Sequence, residues 1–132
     1  MSMLQPIVLL AARILIASLF LVFGVRTIRA FEPSVASFAR LGFPVPTAMT
    51  VLSIAIQLAA GMLLVLGWKT RPAAWALVLY VIIATGAAHR FWEFDAGQHL
   101  AHLTNFYKNL AIMGGLMLLG ITGPGALSVD RR

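Results

Sequence analysis

Charge is missing from four long stretches of this chain and gathers between them. Ile7–Val25 is apolar apart from Arg13 and a few small polar residues, and Thr47–Gly67, Pro72–Ala88 and Leu110–Gly125 contain no charged residue. Thr47–Gly67 leaves no polar face for water, which argues against a soluble amphipathic helix. A transmembrane helix needs roughly 20 predominantly apolar residues to cross about 30 Å of hydrocarbon. The pattern therefore predicts an all-α integral membrane protein, a bundle of four transmembrane helices over about 6–25, 47–67, 72–92 and 103–122. Four such helices occupy nearly all of the 132 residues, so a single transmembrane domain over 1–132 is expected.

The edges of the runs refine this reading. Pro6 suits a first helical position. The connection Phe31–Pro46 reads as a short interfacial helix opened by Pro33, with Val35, Phe38 and Leu41 toward the membrane and Arg40 outward. Gly42-Phe43-Pro44-Val45-Pro46 breaks it. Trp68-Lys69-Thr70-Arg71-Pro72 is a tight turn that makes its flanking helices antiparallel neighbours. Leu110–Thr122 alone is too short to span a bilayer at about 1.5 Å per residue. Extending it back to Leu103 places Lys108 and Asn109 on the helix, about 8 Å inside its start. The third run is short as well and is expected to continue through His89, Arg90, Phe91 and Trp92.

Composition agrees: 61% of residues are hydrophobic and 11% charged, against about 25% charged in soluble domains. The first run lacks a basic leader and a small-residue cleavage site, so it is expected to be a retained helix rather than a signal peptide. Cysteine is absent, which removes thiolate metal sites and disulfide exchange. The formal charge of +6 fits orientation signals and anionic lipid, since no basic run interleaves with aromatics as nucleic-acid binding would require. Both termini, the Lys69/Arg71 turn and Arg131/Arg132 fall on one side and are expected inside. The small residues Ala55, Ala59, Gly61, Gly114, Gly115 and Gly120 allow close helix packing, or a homo-oligomer interface.

Ionisable groups at membrane depth tend to face a bundle interior or a cavity. Two sets qualify. At one end, the end of helix 1, the end of helix 3 and the start of helix 4 bring Arg26, His89, Arg90, Lys108 and Asn109 toward one another. Trp92, Phe94, Phe106 and Tyr107 surround them. Such donors suit the carbonyl oxygens of a quinone or the oxygens of a small anion. Snorkelling cations and an interfacial aromatic belt are the plainer account of the same residues. At the other end, Arg13 and Asp130 are expected to form an ion pair, supported by Ser128, that pins the tail under the bundle. Asp95, His99 and His102 have ligand-like spacing but lack a fourth partner, so no metal site is assigned.

The ordered motifs resemble the DoxX family. They are Arg13-Ile-Leu with Phe20 and Phe23-Gly24-Val25-Arg26, Leu41-Gly42-Phe43-Pro44-Val45-Pro46, and His89-Arg90-Phe91-Trp92. Lys108 to Leu116 and the ending Gly123-Pro124-Gly125 with Leu127-Ser128-Val129-Asp130 complete the set. The resemblance implies a bacterial inner-membrane protein embedded in the lipid bilayer. It also points to a small membrane subunit or accessory of a quinone-linked redox system working with a partner protein; no cofactor is firmly implied, and quinone is the candidate. Related sequences often carry a glutamate where this chain has Gln57, so proton-carrying chemistry at that point is not implied. Three readings stay open: the redox component, a transporter or binding protein for a small anion or lipid, and a non-catalytic assembly protein.

Overall fold

A computed structural model describes residues 3–88 and 95–131. Its regular elements, among the described residues, are all helices: α1 Leu4–Arg29, α2 Phe31–Arg40, α3 Pro46–Leu66, α4 Thr70–Ala88 and α5 Ala96–Thr122.

Each boundary has a local cause. α1 turns into α2 at Ala30, whose φ of −114° and ψ of 47° leave the helical region. Val45 sits left-handed at φ 47° immediately before Pro46. A residue before proline is pushed out of the helical region, and the proline itself opens α3 at its first turn. α3 stops at Gly67, left-handed at φ 70°, whose N–H donates to the carbonyls of Leu63 and Leu64. Asp95, extended at ψ 177°, stands at the N-cap position of α5.

α1 packs along α3 and α5 along α4, and the α3–α4 hairpin joins the two pairs. Close approach comes from small residues. A Cβ on Gly24 would meet Leu58 and Gln57, one on Gly61 would meet Leu21 and the Ala17 carbonyl, and one on Gly120 would meet the Trp75 indole. The core runs through Ala17, Phe20, Leu64, Ala74, Leu77, Leu116 and Leu119. Other large apolar side chains point the other way: Leu15, Leu79, Leu118 and Ile121 are 60–71% exposed. Aqueous surfaces rarely carry so continuous an apolar coat, and lipid favours it.

Among the described residues three helices, α1, α3 and α4, are long and apolar enough to cross a membrane. This modifies the expected four-crossing pattern. α5 has 27 residues, about 40 Å of helix, yet its first half carries Gln98, His99, His102, Asn105, Lys108 and Asn109. It starts at Ala96 rather than near Leu103, because its polar first turns continue the helix that packs on α4. α1 also outruns its apolar stretch and reaches Arg29. The third helix begins at Thr70, and its expected continuation through His89–Trp92 lies outside the described residues.

Candidate functional site

A cavity of about 420 Å³ opens between α1, α2, α3, α4 and α5 at the end of the bundle where α2 lies. Polar groups reach it from all five helices, with Thr27 the contribution of α1. α3 presents Ser53 and Gln57 one turn apart, both buried. α4 presents Tyr80, whose hydroxyl lies 2.5 Å from that of Ser53, and Gln57 Nε2 donates to the same Ser53 oxygen at 3.2 Å. α5 presents Asn105, Lys108 and Asn109, and α2 contributes Ser34 and Ser37. Asn109 Nδ2 donates to the buried Thr85 hydroxyl at 2.9 Å, which fixes the amide against α4. Phe20, Phe23 and Phe38 form the apolar walls. Lys108 supplies the one charge among the described lining residues, and no carboxylate lines the cavity with it.

A second cavity of about 350 Å³ lies under the other flank of α2, against α3 and α4. Its walls include Leu41, Phe43, Met49, Leu52, Ile56, Leu79 and Ile83. Ser37, Phe38, Ser53, Tyr80 and Ala84 line both spaces.

The residues expected to form a site are only partly brought together. Lys108 and Asn109 line the first cavity, Lys108 at its exposed rim and Asn109 half-buried. Arg26 is exposed and lies outside the lining. Its guanidinium sits 5.5 Å from the centre of the Phe23 ring, so it touches the cavity only through that wall. His89 and Arg90, with Trp92 and Phe94, lie outside the described residues. Asp95, His99 and His102 fall on the N-terminal stretch of α5 and do not form a metal-holding group among the described residues.

Several lining residues escape the sequence reading. Ser53 and Tyr80 each look like isolated polar residues in an apolar run, and only the α3–α4 pairing makes them partners. Ser34, Ser37 and Phe38 turn inward although α2 was expected to set its apolar face on the membrane. The i, i+3, i+4 spacing of these three residues was the available signal.

At the opposite end Arg13 is fully buried. Its Nη1 donates to the Leu64 carbonyl at 2.9 Å and the Val65 carbonyl at 3.2 Å, and Nη2 donates to the Leu127 carbonyl. Asp130 accepts instead from the backbone N–H of Thr70 at 3.2 Å. The tail also pairs by main chain, Val129 N–H to the Leu66 carbonyl and Asp130 N–H to the Gly67 carbonyl. Ser128 Oγ donates to the Gly125 carbonyl at 2.6 Å. The tail is thus fastened under the bundle, but the guanidinium and the carboxylate each go to a helix terminus rather than to one another. The cation meets the carbonyl end of α3 and the anion meets the amide end of α4, each where the helix dipole favours its sign.

Lipid-facing apolar helices around a partly polar cavity define a helical integral membrane protein. The chain belongs to the DoxX family, whose model matches residues 8–90. It is 36% identical to the inner membrane protein YphA of Escherichia coli over 97% of this chain and 91% of the relative. It is 33% identical to the Escherichia coli inner membrane protein YqjF over 99% of this chain and 95% of the relative. A more distant likeness, 34% over 51% of this chain but 22% of the relative, is to the yeast ER-derived vesicles protein ERV29. No solved structure matches.

Proposed function

We propose that this protein binds a quinone headgroup in the cavity beneath α2 and serves as a small membrane component of a quinone-linked redox system. The observation that carries this reading is a polar pocket at the heart of apolar helices, supplied with donors and free of carboxylates among its described lining. A quinone ring presents acceptor carbonyls on opposite edges and an apolar face between them. Lys108 and Asn109 from α5, Ser53 and Gln57 from α3 and Tyr80 from α4 supply polar groups for those carbonyls. Phe20, Phe23 and Phe38 offer flat apolar walls for the ring. Binding pockets of this size and mixed lining are typical of small-molecule sites. The electrons exchanged with the ring belong to a partner protein. This chain's own residues hold and orient the head.

The reading extends to the placement of the protein. One transmembrane domain spans 1–132, α5 serves as a fourth crossing, and both termini lie in the cytoplasm of a bacterial cell. The inner-membrane location of YphA and YqjF and the charge distribution support this. Lys108, Asn109, Gln57, Ser53 and Tyr80 are the proposed binding residues, and the sequence adds Arg26, His89 and Arg90 as further candidates.

The test is thermal stabilisation of the purified protein in detergent by the tail-less quinone 2,3-dimethoxy-5-methyl-1,4-benzoquinone. Saturable stabilisation is expected, weakened about tenfold in apparent affinity by Lys108→Ala and by Asn109→Ala. Lys108, as the one described charge in the lining, favours a second reading in which a small anion occupies the cavity. Stabilisation by thiosulfate or phosphate, with no response to the quinone, would replace the first reading by the second.

A further inference from the structure

The second cavity differs sharply in character from the first. It is walled almost wholly by aliphatic and aromatic carbon, including Leu41, Phe43, Met49, Leu52, Ile56, Leu79 and Ile83. Leu52, Leu79 and Ile83 are each 50–60% exposed on the bundle surface, so the space opens sideways into lipid. It adjoins the polar cavity: Ser37, Phe38, Ala84 and the hydrogen-bonded Ser53 and Tyr80 line both spaces. α2 packs on α3 and touches α1, and among the described residues its flank toward α4 makes no helix contact over this groove.

We infer that the two spaces form one composite site for an amphiphile: the headgroup enters the polar cavity and its apolar chain lies in the groove between α2, α3 and α4. This rests on the headgroup reading above and names what that reading leaves open, the chain the ligand carries and the route it takes. The Ser53–Tyr80 hydroxyl pair marks the boundary. On one side of it donors gather, and on the other a chain meets only apolar surface. A ligand already dissolved in the bilayer reaches the head cavity by sliding in past Leu79 and Ile83, without passing through water. The occupant is therefore a quinone bearing an alkyl or prenyl chain, in preference to a tail-less quinone or a free anion.

Two positions separate the groove from the head cavity. Ala76 and Ala87 line only the groove, and neither is fully buried, so a larger side chain fits there without rebuilding the core. Ala76→Phe and Ala87→Phe, each checked for an unchanged unliganded melting temperature, would be compared with the parent protein. Binding of decylubiquinone and of its tail-less headgroup would be measured in the same detergent. Comparing variants with parent for each ligand cancels partition of the decyl chain into the micelle. Blocking the groove is expected to weaken decylubiquinone by about tenfold while leaving the tail-less quinone unchanged. Equal affinities for decylubiquinone in parent and both variants would overturn the composite site while the headgroup reading stands. Binding of decylubiquinone alone, weakened by the variants, would keep the groove and sink the polar-cavity reading. A phospholipid that co-purifies with the protein and resists displacement by decylubiquinone would also overturn the proposal, giving the groove to a structural lipid.

Discussion

Arg13 in the first helix donates a hydrogen bond to the carbonyl of Leu127 in the tail, 114 residues away. The same guanidinium holds the Leu64 and Val65 carbonyls where α3 ends. A single side chain therefore ties α1, α3 and the tail together, with Nε as its one buried nitrogen lacking a partner. Arg13→Ala removes three hydrogen bonds and leaves acceptors buried, at about 1–3 kcal/mol for each left unsatisfied. A fall of several degrees in the detergent melting temperature is expected, together with faster cleavage of the tail by an added protease. Arg13→Lys keeps the charge but not the planar fork, and should fall between the parent and the alanine variant.

Asp130 acts on the start of α4 rather than on Arg13. Its carboxylate accepts from the Thr70 N–H, a donor with no partner inside its own helix. Asp130→Ala should cost about 0.5–2 kcal/mol, as loss of a helix cap does. Asp130→Asn keeps an acceptor oxygen and should recover most of that. An ion pair with Arg13 would make the asparagine variant as poor as alanine, so the two melting curves decide between the partners.

Gly67 carries both a left-handed backbone and a crowded neighbourhood. A Cβ there would run into Ser128 and the Arg13 guanidinium, and its φ of 70° disfavours other residues. Gly67→Ala should loosen the tail and lower the melting temperature more than any other glycine-to-alanine change in the described helices or turns. Gly86 and Gly114 lie in helices with open space where a Cβ would go. Their alanine variants should match or exceed the parent, since alanine favours a helix over glycine by about 1 kcal/mol.

The Asn109–Thr85 bond is the direct polar link between α4 and α5 beside the cavity. Hydrogen bonds between membrane helices are worth about 0.6 kcal/mol on average. A double-mutant cycle on Asn109→Ala and Thr85→Val should return a coupling near that size. Asn109→Ala should also weaken quinone binding more than Thr85→Val does, because only the amide lines the cavity. Equal losses would assign Asn109 to packing alone.

Helix positions were legible in the apolar runs because lipid demands an uninterrupted apolar surface, and α1, α3 and α4 follow from that demand. The first turns of α5 were not. Ala96-Gly97-Gln98-His99 has no apolar stripe, so its helical state comes from continuity with the segment packed on α4. Lys108 and Asn109 were placed on a helix by counting residues back from Thr122, and both lie on α5, which starts earlier than the count required. Ser53 and Tyr80 could not be paired from sequence, because the register of the α3–α4 hairpin alone sets which residues face each other. The tail was placed at the correct end with the wrong partner. Opposite charges invited a pairing, whereas the unmatched carbonyls and amides at helix termini were the stronger claim on each.

The Arg13 clamp has a consequence for biosynthesis. α1 leaves the ribosome and meets the bilayer long before Leu64 exists, and longer still before Leu127 does. Through that interval its guanidinium has none of its final partners and must reach for phosphate headgroups or water. A tail segment translated 114 residues after Arg13 thus completes the burial of a charge inserted with α1, which makes closure of this end a late event in assembly. A ribosome that stalls before Leu127 leaves behind an otherwise threaded bundle with an exposed cation at its end.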